Sequence, residues 1–93
     1  MGLFDTFNRD PETLYFSLSE LPQPRHAAVF SIGLGNTVIA TSHLRIDPAG
    51  LDMACRVLTH HSSQVKSCGY KNVVYKNLPD WAQAKLQATL DSL

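Results

Sequence analysis

The stretch Asp10-Pro11-Glu12-Thr13-Leu14-Tyr15-Phe16-Ser17-Leu18-Ser19-Glu20-Leu21 has two periods in it, and the fold turns on which one is taken. Read as a helix, it begins with an Asp that can cap free amides and a proline suited to the first helical position. Leu14, Leu18 and Leu21 then share one face, and Pro22 and Pro24 end the segment. Read as a strand, Leu14, Phe16 and Leu18 alternate with Tyr15, Ser17 and Ser19, the period of a half-buried strand. The start signal is better defined than the alternation, so the segment is expected to be helical, which leaves Phe16 on the polar side between Glu12 and Glu20.

Downstream, residues 27–33 and 37–46 are rich in β-branched and apolar types, and Leu34-Gly35-Asn36 between them tolerates positive φ, so the pair reads as a β-hairpin. Asp47-Pro48 repeats the capped helix start. From Pro48 to Cys68, the residues Leu51, Ala54, Cys55, Leu58, His61, Val65 and Cys68 recur at helical spacing along one stripe, and Gly69 is a natural stop. Tyr70 to Lys76 reads as a short third strand, and Pro79 opens a last helix that turns Trp81, Ala82, Leu86, Leu90 and Leu93 inward. Residues 1–9 are expected to form an N-terminal arm or short helix in which Leu3, Phe4 and Phe7 make a small apolar face.

The expected architecture is one α+β domain over residues 1–93, in the order α-β-β-α-β-α, with a three-stranded mixed sheet and helices packed on one face. The long helix between the second and third strands implies that those two run parallel. This order over residues 11–76 is similar, in topology alone, to the core order of roadblock-type dimerisation domains, although the two further strands of that family do not follow. The resemblance implies a dimeric, partner-binding role. A sheet edge that keeps apolar residues points the same way, because it invites pairing with a second chain.

Composition narrows the chemistry. The chain has 93 residues, 44% hydrophobic and 17% charged, which describes one compact domain and excludes a disordered tail or fibrous repeat. Lys plus Arg is 8 and Asp plus Glu is 8, so no global field draws it to nucleic acid or an anionic membrane. Met1 to Thr6 matches the loose pattern for acylation of Gly2, but no basic cluster follows to complete an anchor. Free thiols and the lack of a long apolar run suit the cytoplasm.

Cys55 and Cys68 would lie roughly 20 Å apart on one helix, too far for a disulfide. Cys55, His60, His61 and Cys68 crowd one region, yet no pair has the three- or four-residue spacing that brings donors onto one ion. Asp52 stands four residues before Arg56, as for an ordinary surface pair. The acids are scattered, and Gly33-Leu34-Gly35-Asn36 leads into a strand where a phosphate loop needs a helix. No catalytic, cofactor-binding or metal-ligating residue is assigned.

Charge does cluster locally. Between Met53 and Lys76 there are Arg56, Lys66, Lys71 and Lys76 and no acid, with Tyr70 and Tyr75 interleaved. The leading expectation is a small non-enzymatic protein-binding module, an adaptor or stoichiometric inhibitor of a larger complex, homodimeric, whose partner carries an acidic surface. Its size would suit a phage- or plasmid-encoded modulator, though no residue shows that origin. Phe16, Arg56, His60, Lys66, Tyr70, Lys71, Tyr75 and Lys76 are the candidate contacts. Two other readings stand beside it: nucleic-acid binding through the basic and aromatic segment 66–76, and a metal- or Cys/His-dependent enzyme using His60, His61 and Cys68.

Overall fold

Phe16 is fully buried, and with it the helical reading of its segment is overturned: Thr13–Glu20 is a β-strand, β1. The computed structural model describes residues 11–21 and 27–93. The N-terminal arm, the Asp10 cap and the Pro22 and Pro24 stop lie outside them. After β1 come β2 (Ala27–Leu34), β3 (Thr37–Arg45), helix α1 (Pro48–His60), a short helix α2 (Ser62–Ser67), β4 (Asn72–Lys76) and helix α3 (Asp80–Asp91). The class is α+β as expected, but the mixed sheet has four strands, ordered β3-β2-β1-β4.

The reason is tertiary. A local start signal at one end cannot compete with two ladders, because β1 pairs antiparallel with β2 on one side and parallel with β4 on the other. Alternation then sends Leu14, Phe16 and Leu18 to the helix-covered face and leaves Tyr15, Ser17 and Ser19 on the other. Phe16 sits in a cross-strand stack of rings, 6.1 Å from Phe30 of β2 and 5.5 Å from Tyr75 of β4. With a strand in place of the leading helix, the order no longer follows the roadblock core.

The hairpin forms as expected, with Gly35 and Asn36 as its two-residue loop and Gly35 at φ 57. β3 and β4 do run in the same direction, but at opposite edges of the sheet. A register shift opposite Ile32 and Gly33 leaves Ile39 as the extra residue of a bulge near the hairpin end.

Asp47 caps α1 by accepting the Gly50 N–H at 2.7 Å, and Pro48 occupies the first turn. Gly50 has a steric reason to be glycine: a Cβ there would lie 1.7 Å from the Arg45 carbonyl oxygen. Leu51, Ala54 and Leu58 of α1 are fully buried, as are Val65 of α2 and Ala82 and Leu86 of α3. These side chains close over the sheet residues Leu14, Phe16, Leu18, Ala28, Phe30 and Ile32 to make one core, each large one contributing about 1.5–3 kcal/mol.

Two expectations about the helices are corrected. The rod over residues 48–68 is interrupted at His61 (φ −101, ψ 20), inside the run Thr59-His60-His61-Ser62-Ser63 of weak helix formers. The interruption is mild, since the His61 N–H still reaches the Val57 and Leu58 carbonyls and Val65 bonds back to His61. Gly69, at φ 70, then stops α2. In α3 the inward stripe is Ala82, Leu86 and Leu90, which leaves Trp81 46% exposed, and the core position is taken by Leu78. No helix among the described residues is long and apolar enough to cross a membrane.

Two substitutions check this packing by urea unfolding. Phe16→Ala should cost about 3–5 kcal/mol; a cost under about 0.5 kcal/mol, typical of a surface residue, would contradict the buried strand. Gly50→Ala should destabilise by about 1–3 kcal/mol or more, where an unobstructed helical position would gain about 1 kcal/mol from the same change.

Candidate protein-docking surface

Strand alternation divides the candidate residues. On β4, Tyr75 faces inward with its ring on Phe16, and its hydroxyl donates to Gln87 Oε1 at 2.8 Å. Gln87 Nε2 in turn donates to Asp91 Oδ1 at 2.9 Å, so a short relay ties the β4 edge to α3. Lys76, one residue on, points to the opposite face, where its Nζ lies 5.9 Å from the Tyr15 ring centroid. Tyr70 is half-buried against the core. Lys71 pairs with Glu12 at 3.4 Å, and Lys66 is exposed on α2.

The segment 66–76 is therefore not one surface. Tyr75 is committed to the core and cannot stack a base, and Phe16 presents nothing to a partner. Arg56 and His60 are the two candidates that the fold brings together. They lie one turn apart on the outer side of α1, both exposed. Asp52, expected to pair with Arg56, instead forms an ion pair with Lys85 of α3, and that hydrogen bond holds the Lys85 ammonium above its ordinary pKa. No ion pair to Arg56 is formed among the described residues.

A groove lies on each side of this pair. One, of about 420 Å³, runs between α1 and α3 past Cys55, Thr59 and Thr89. The other, of about 360 Å³, runs between α1 and the edge strand β3, past Thr41, Ser42, Met53, Val57 and His61. Met53 is 43% exposed and gives this second groove an apolar floor beside its cationic wall. Arg56 and His60 are among the contacts expected from the sequence and Met53 and Val57 are not, although Met53, Arg56, Val57 and His60 form a second stripe at helical spacing beside the core stripe.

The sulfur and imidazole groups do not converge. His60 and His61 meet edge to face at 5.1 Å, and His61 Nδ1 lies 3.0 Å from Gln64 Oε1. Cys68 points back at the Val65 carbonyl, and Cys55 faces the Lys85 carbonyl at 4.0 Å. Among the described residues, no three His, Cys, Asp or Glu side chains gather where they could hold a metal ion.

The open face of the sheet is the other exposed surface. Tyr15, Ser17, Val29 and Ser31 are partly exposed there, with Val38 63% and Val74 37% exposed at the two edges. Its centre is small and weakly apolar, and its edges carry Lys76 beside Tyr15 on β4 and His43 on β3. Comparison with protein families, with curated proteins and with solved structures finds no match for this chain.

Tyr75 supplies a pH test of the relay. Burial, then the charges of Asp91 and Tyr70, raise its pKa above the ordinary 10.0. The folded chain thus holds this proton more tightly than the unfolded one. Its contribution to stability is complete below pH 10 and is lost as pH rises through the folded-state pKa. Thermal melts at pH 8 and pH 11 should show a smaller alkaline loss of Tm for Tyr75→Phe than for the unaltered chain; an equal loss would contradict the assignment.

Proposed function

We propose that this chain is a small non-enzymatic protein-binding module, an adaptor or stoichiometric inhibitor, that docks a larger partner by strand addition at the β3 edge. The observation that carries the reading is the difference between the two edges. β4 has five residues, is preceded by Lys71, closes on Lys76 and is followed by Asn77 in a left-handed conformation (φ 59), all features that discourage pairing. β3 has nine residues with no proline and no acid. Its bulge lies at the hairpin end, and residues 40–45 keep unbroken register with β2.

An edge strand of that length presents a row of outward amide and carbonyl groups that a partner strand can satisfy. Arg45, tied to Asp47 at 3.1 Å, is the strand's formal charge and stands at its far end. The homodimer expected from the sequence would then close through the remaining exposed surface, the face of Tyr15, Val29, Val38 and Val74.

Successive amides of an edge strand point alternately toward and away from the neighbouring strand. Of Thr41→Pro and Ser42→Pro, one deletes an inward N–H and should unfold or weaken the chain, while the other deletes an outward N–H and should fold. Peptides selected from a random display library on the unaltered chain should bind the folded proline variant at least about tenfold more weakly. Failure to select any binder, or undiminished binding to that variant, would contradict strand docking.

A further inference from the structure

The groove between β3 and α1 gives the docked strand a chemistry. Resting on the strand-docking reading above, we infer that the site takes an extended acidic peptide. One of its side chains enters against Met53 and Val57, and a carboxylate two residues away is held by Arg56 and His60.

The groove beside the edge strand is lined by Thr41 and Ser42 on one wall and Met53, Arg56, Val57 and His60 on the other. Among the described residues, no acid lines it and none forms an ion pair with Arg56, so the guanidinium fork is available to a carboxylate in two-pronged geometry. Met53 and Val57 are one helical turn apart, as are Arg56 and His60, which places an apolar step next to a cationic one. The apolar pair and the Arg56–His60 pair are centred three residues apart on α1, about 4.5 Å along its axis and roughly a sixth of a turn around it, a separation of the same order as the 6.8 Å or so between alternate side chains on one face of a strand.

A basic or neutral strand could use the same backbone groups at β3, but it would leave Arg56 without a counter-charge beside an apolar floor. Selectivity between acidic and basic peptides thus belongs to α1, while the capacity to take any strand belongs to β3. The two can be separated by experiment.

Two fluorescent seven-residue probes serve, each of threonine with two replacements at alternate positions: leucine and glutamate in one, leucine and lysine in the other. The expected result is at least about tenfold tighter binding of the glutamate probe, weakened by added salt, with the preference reversed by Arg56→Glu, an exposed substitution that the fold can accept. Met53→Ser should weaken both probes. Binding of both probes with equal strength would overturn the acidic assignment and leave strand docking intact, whereas absence of binding by either overturns the acidic site and sends the strand-docking question back to the library selection. Displacement of the glutamate probe by a single-stranded oligonucleotide, lost in Arg56→Glu, would assign the groove to nucleic acid and overturn the peptide.

Discussion

The stacking of Phe16 between Phe30 and Tyr75 is the contact on which the rest of the molecule depends. It holds β1 in the interior of the sheet, where both of its ladders are satisfied and its alternate side chains form the floor of the core. Once β1 is central, β3 and β4 become the edges, and everything said about the surface follows from how those two edges differ. A helix at the same residues would have put Phe16 in solvent and removed the partner that β4 needs. A β4 so short, lying beside no other strand, could not persist alone.

Much of the frame was legible in the residues. The hairpin, the capped start at Asp47-Pro48, the buried stripe of Leu51, Ala54 and Leu58 and the stop at Gly69 are all set by local chemistry: turn preference, capping and helical period. What escaped the sequence reading was set by distant partners. The residues of β1 carry two periods at once, and only the strands on either side decide between them. The outward turn of Trp81 depends on how α3 settles over the sheet, whereas the break at His61 falls in a run of weak helix formers that the continuous core stripe masked. Gly50 is a further case, because the Arg45 carbonyl that excludes a side chain there approaches through a tight turn whose path no periodicity describes.

The candidate site was less legible than the fold. The basic and aromatic residues between Arg56 and Lys76 are neighbours along the chain, but a strand sends Tyr75 and Lys76 to opposite faces, and Glu12 takes Lys71. Only Arg56 and His60 stay together, because they stand one turn apart on a helix. Their groove needs a second wall from β3, which is brought there by the β3–α1 connection, and an empty place in the charge pattern that arises when Lys85 takes Asp52. Neither can be read from spacing within one element. Function on this account comes from an edge and a helix side by side: backbone groups supply adhesion and the α1 side chains supply selectivity.

Residue-resolved amide hydrogen exchange, measured on the chain alone and on its complex with the leucine–glutamate probe, tests the central claim most directly. The account predicts that alternate amides within residues 40–45 exchange quickly in the free chain and become protected on binding, with β4 unchanged. Protection confined to β4 or to the face of Tyr15 and Val74, with β3 unaltered, would contradict it.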